Sequence, residues 1–125
     1  MTTAATSPVL IVDDDAAVRR TMARFLDVSG FSVVEADNGR AALTYLQDGG
    51  RPSVIVLDLR MPVMDGWAFR KQQRLDPAFS AIPVIILSGA DTDRFSELEA
   101  DATFEKPASF QTIVKCVRQL TTRPQ

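Results

Sequence analysis

Three four-residue runs, VLIV at residues 9–12, VIVL at 54–57 and VIIL at 84–87, are apolar at every position. Successive side chains of a strand point to opposite faces, so a strand with no polar residue has both faces buried. Strands of that kind occur in parallel sheets, where helices cover both sides. Two weaker candidates, residues 32–36 and Ala102–Glu105, bring the number of expected strands to five.

Segments of helical period separate these runs. Val18, Met22, Phe25 and Leu26 form one stripe, with Gly30 as its stop. Ala42, Leu43 and Leu46 form a second, ended by Gly49 and Gly50, and Ala68, Phe69 and Leu75 a weaker third. Phe110, Ile113, Val114 and Val117 form the last, with Ser109 placed to cap it. Cys116 falls off that stripe and reads as a half-exposed bystander. Strands alternating with helices imply right-handed crossovers and an α/β fold, a doubly wound five-stranded parallel sheet flanked by helices.

At 125 residues the chain has the length of one domain, expected over residues 9–121 between flexible tails at 1–8 and 122–125. Its 46% hydrophobic and 24% charged residues are those of a soluble globular protein, and its net charge of −2 argues against direct nucleic-acid binding. No apolar run approaches the ~20 residues a bilayer span requires. One cysteine excludes an internal disulfide, which fits a cytoplasmic location. The absence of histidine is more restrictive: it removes Ser-His-Asp and Cys-His nucleophile pairs and histidine metal ligands. Chemistry here must run on carboxylates, hydroxyls, lysine and backbone.

In doubly wound sheets ligands sit beyond the carboxyl ends of the strands. After VLIV come Asp13, Asp14 and Asp15; after VIVL comes Asp58; after VIIL comes Ser88; and beyond the fifth strand stand Lys106 and Pro107. Asp15, opening a helix, reads as an N-cap. Clustered carboxylates repel one another, and a hard divalent cation such as Mg²⁺ removes that penalty through oxygen ligands. With a metal bound, Asp58 could accept a phosphoryl group while Lys106 and Ser88 meet the charge on its oxygens.

The blocks IVDDD, VLDLRMPVMDG, ILSGA and FEKPAS resemble, in order, the signature blocks of response-regulator receiver domains of two-component signalling. The resemblance implies a flavodoxin-like (CheY-like) fold with Asp58 as phosphoacceptor. It implies Mg²⁺ held by Asp13, Asp14, Asp58 and the backbone carbonyl of Arg60. Ser88, 30 positions after Asp58, would be the switch hydroxyl. Lys106 would contact the phosphate, followed by a cis bond to Pro107, while Pro62 and Gly66 shape the loop after Asp58 through backbone angles suited to glycine. The partners implied are a sensor histidine kinase or a histidine phosphotransfer domain, with an output domain or downstream protein to read the signal. The domain would accept and lose its phosphoryl group without being an enzyme in the ordinary sense.

Two positions depart from the family pattern. Thr103 stands where the family usually has Tyr or Phe, and the neighbouring Phe104 is expected to face the core. Only 18 positions separate Ser88 from Lys106, so residues 91–101 leave room for a shortened fourth helix alone. A phosphorylation-independent pseudo-receiver is an alternative reading. An aspartate-nucleophile Mg²⁺-dependent phosphatase is another, disfavoured by Ala17 where that motif needs Thr or Val.

Overall fold

The three apolar runs lie at the centre of a parallel sheet in the computed structural model, which describes residues 7–89 and 98–121. Strands β1 (Val9–Val12), β2 (Val33–Ala36), β3 (Val54–Asp58), β4 (Val84–Ser88) and β5 (Ala102–Glu105) pair in the order β2-β1-β3-β4-β5. Every pairing is parallel. Helices α1 (Ala16–Val28), α2 (Gly39–Gln47), α3 (Gly66–Leu75) and α4 (Phe110–Thr121) connect or follow them. The shortened helix expected over residues 91–101 falls mostly on residues 90–97, outside the described residues.

The sheet divides the core in two. Leu10, Val12, Ile55, Leu57, Val84 and Ile86 pack on one face with Ala42, Leu46 and Phe69 of α2 and α3. Val9, Ile11, Val54, Val56, Ile85 and Leu87 pack on the other with Met22, Leu26, Ile113 and Val117 of α1 and α4. Burial of each such side chain contributes about 1.5–3 kcal/mol, which is why these runs fix the centre of the sheet.

The stops and caps follow sequence chemistry. Asp15 accepts hydrogen bonds from the N–H groups of Ala17 and Val18, and Asn38 accepts one from Ala41. Gly30 ends α1 at a φ of +98°, where a Cβ would clash with its own backbone. Ser109 caps α4 weakly, at 3.4 Å from the Thr112 nitrogen.

Helix α3 corrects the expected stripe. Leu75 is 69% exposed and Ala68 is exposed, whereas the buried face is Gly66, Phe69, Arg70 and Gln73. The burial is tolerable because the polar groups are satisfied. Arg70 donates to the carbonyls of Leu98 and Glu99 and, at 2.7 Å, to the Gln73 side-chain oxygen. Gln73 in turn donates to the carbonyls of Phe79 and Ile82. Arg74, one turn beyond Arg70, pairs with the Glu99 carboxylate at 3.0 Å.

Candidate functional site

Strand order reverses between β1 and β3, the point at which doubly wound sheets place their ligands, beyond the carboxyl ends of the strands. The sheet ladder carries Asp58 as the last residue of β3, opposite Leu87, and Ser88 as the last residue of β4, opposite Glu105. Asp13 and Asp58 are buried, and Asp14 beside them is exposed. One carboxylate oxygen from each of the three lies within 4.8 Å of the others. Lys106, just past β5, brings its Nζ to 3.3 Å from Asp13 Oδ2 and to 3.3 Å from Asp58 Oδ2. Asp13 Oδ1 accepts from the Asp15 N–H at 2.9 Å, and the Arg60 N–H donates to the Asp58 carboxylate.

Burial pushes the Asp58 carboxyl up to about 6. The Lys106 ammonium opposes this rise and the Asp13 carboxylate adds to it. Burial by itself would lower the Lys106 pKa, but Asp58 and Asp13 outweigh it, and the lysine is held above its ordinary range. The one ammonium meets two of the three clustered carboxylates, and the set keeps a negative excess. An oxygen-only donor set with such an excess fits a hard divalent cation such as Mg²⁺.

The loop after Asp58 is held by close approaches. A Cβ on Gly66 would lie 2.5 Å from the Asp58 carbonyl oxygen and 2.8 Å from the Leu59 Cα. Contact, not an unusual backbone angle, therefore requires glycine there, which corrects the sequence expectation. The left-handed residue of the loop is Val63, with φ +71°, at the centre of a γ-turn closed by Met64 N–H to Pro62 O at 2.8 Å. Gly39 of α2 donates to the Met64 carbonyl at 2.9 Å, and a Cβ on it would meet that same oxygen at 2.6 Å. Asp65 caps α3 through the Ala68 N–H.

The remaining expected residues fall as follows. Ser88 is buried, its carbonyl accepting from the Lys106 N–H at 2.8 Å, and the Lys106–Pro107 bond is cis. Thr103 is exposed, and Phe104 packs with the α1–α4 cluster. Asp15 serves α1 as its cap. Sequence reasoning missed Arg19, which donates to the Asp13 carbonyl at 2.8 Å and to Glu35 at 2.9 Å. Its one sequence signal is its place beside Val18 on the inward edge of α1. Among the described residues no helix is long and apolar enough to cross a membrane.

Known proteins are similar in sequence and in fold. The chain is 34% identical over 119 residues to the response regulator MprA of Mycolicibacterium vanbaalenii, covering 92% of this chain and 50% of that protein. It is 35% identical over 122 residues to the response regulator Rre1 of Synechocystis, covering 94% and 52%. The chain thus spans about half the length of these curated relatives. Among solved structures, the receiver domain of a signal transduction histidine kinase from Syntrophus aciditrophicus superposes with a TM-score of 0.86 at 29% identity, covering 96% of both chains. The chemotaxis response regulator CheY4 of Vibrio cholerae gives 0.83 at 28%, covering 93% of this chain and 99% of that one. The family profile described as the response regulator receiver domain matches residues 9–118, and the chain belongs to that family.

Proposed function

We propose that this receiver domain accepts a phosphoryl group on Asp58 in a Mg²⁺-dependent reaction, from a phosphohistidine of a partner kinase or phosphotransfer domain. The observation that carries the reading is the gathering of Asp13, Asp14 and Asp58 around one point, with Lys106 bridging two of them. Asp13, Asp14, Asp58 and the Arg60 carbonyl would hold the ion. A bound Mg²⁺ supplies positive charge against the phosphoryl oxygens. In transfer, an Asp58 carboxylate oxygen forms the new O–P bond as the N–P bond of the partner breaks, and the electron pair returns to the imidazole nitrogen. Lys106 meets charge on the phosphoryl oxygens, and the Ser88 hydroxyl donates a charge-assisted hydrogen bond to them.

The donor must reach Asp58 over its rim, where Ala16, Ala17 and Arg20 are exposed at the start of α1. The cis turn after Lys106 lies beside them, lining one groove with Val18 and Met22 of α1. The signalling unit spans residues 9–121, works in the cytoplasm and acts on an output domain or downstream protein. Intact mass with and without acetyl phosphate and Mg²⁺ tests the acceptor. One hydroxylamine-labile phosphoryl group is expected on the wild type and none on Asp58→Asn; full labelling of that variant would refute the assignment.

A further inference from the structure

Asp13 is the first residue beyond the β1 ladder, which ends with Val12 opposite Ala36. Its backbone is nevertheless tied on both sides. The Asp13 N–H donates to the Ala36 carbonyl of β2 at 3.1 Å, and its carbonyl accepts from Arg19 Nη1 at 2.8 Å. The same guanidinium is anchored by Nε to Glu35 on β2 at 2.9 Å. Its side chain is 12% exposed, against 36% for Glu35, so the fork is shielded where it meets the backbone.

The Asp13 carbonyl belongs to the planar peptide that joins Asp13 to Asp14. Fixing that oxygen fixes the plane, and with it the point from which the Asp14 side chain departs. Asp13 has its own side-chain restraints, from the Asp15 N–H and Lys106. Asp14 is exposed, so its backbone sets its aim. We propose that Arg19 is a positioning residue for the divalent-cation site, holding the Asp13–Asp14 peptide through the Asp13 carbonyl, with Glu35 holding Arg19 in place. This rests on the Mg²⁺ reading above.

Grip and electric field predict effects of opposite sign. Arg19 is a cation close to a cation site, so through its field alone its removal would tighten Mg²⁺ binding. Through its grip, removal frees the peptide and weakens binding. Residues that orient metal ligands typically change affinity about 10–100-fold when lost.

Calorimetric Mg²⁺ titration of the full chain decides between them, beside urea unfolding without metal to score folding. Arg19→Ala should raise the Kd about tenfold or more while remaining folded. Arg19→Lys keeps the charge but lacks the two-pronged fork, and should recover only part of the loss. Glu35→Ala should weaken binding several-fold, whereas Glu35→Gln keeps an acceptor for Nε and should stay near wild type. In metal-free protein the Asp14 amide resonance should move in Arg19→Ala. Unchanged or tighter binding in Arg19→Ala would overturn the positioning role, and so would Glu35→Gln behaving like Glu35→Ala. Failure of the wild type to bind Mg²⁺ would instead overturn the metal reading, and this inference with it.

Discussion

Lys106 reaches Asp58 across the end of β4, its Nζ 3.3 Å from Asp58 Oδ2, so two strands that do not pair are joined at the site by one ion pair. The lysine is thereby positioned before any phosphoryl group arrives. Lys106→Ala should impair phosphorylation without weakening Mg²⁺ affinity, because it removes a cation that shares the ion's carboxylates. Calorimetry paired with intact mass checks both halves. A clear loss of metal affinity would mean that the lysine organises the carboxylates and does not compete for their charge.

Asp58 gives the fold a pH signature. Its folded pKa of about 6 exceeds the ordinary 3.8, so the folded chain binds this proton more tightly than the unfolded chain does. The stability it contributes is full below its ordinary pKa and is lost as pH rises through about 6. Asp58→Asn should therefore be more stable than wild type by about 1–3 kcal/mol at pH 7.5 without metal. The difference should shrink toward pH 4.5, as urea unfolding at the two pH values would show. In the wild type at limiting Mg²⁺, acceptance from a small phosphodonor should fall on acidification through about 6.

Val63 is a β-branched residue at φ +71° and is 80% exposed, so its side chain has little packing to offset the backbone cost. Val63→Gly should stabilise the chain by about 1 kcal/mol, measured by chemical unfolding. Destabilisation of similar size would show that the turn is not where the strain resides.

Arg70 is buried with its charge met mainly by carbonyl groups and Gln73. Arg70→Ala should cost about 2–4 kcal/mol, because it orphans the carbonyls of Leu98 and Glu99 together with the Gln73 oxygen. The Arg70→Leu/Gln73→Leu pair should cost less than the sum of the single changes, since both belong to one network. Additive losses in urea unfolding would contradict that.

Thr103 bears on the conformational response. A phosphate mimic such as beryllofluoride should perturb the loops after Asp58 and Ser88 while leaving β5 and α4 nearly unchanged. Thr103 is exposed and too small to transmit the packing change of an aromatic ring. Amide spectra with and without the mimic test this. Large shifts across α4 would show that another residue carries the signal.

The parallel sheet and the acidic cluster were legible because burial on both faces leaves an unbroken apolar run, and in this topology the residues ending such runs converge. The Asp15 cap and the inward turn of Phe104 followed from equally local rules. Helix α3 was not legible. Its inward face carries Arg70 and Gln73, and a count of apolar residues assigns such side chains to solvent; the carbonyls that accept from them lie on other segments. Val63 gave no warning either, since β-branched residues ordinarily avoid positive φ. Arg19 looked like any charged residue on an exposed helix because its acceptors lie on β2 and at the end of β1.

The polar inner face of α3 has a mechanical consequence. Apolar side chains slide past one another at small cost per tenth of an ångström, but hydrogen bonds weaken steeply with misalignment. Arg70 and Gln73 together hold four carbonyls outside the helix, and Glu99, at φ +49°, supplies one of them from a backbone conformation that favours release. A displaced α3 would strain all of these bonds together. The helix is therefore built as a latch: against the turn that leads into β5 it is either seated or let go, with little stable ground between.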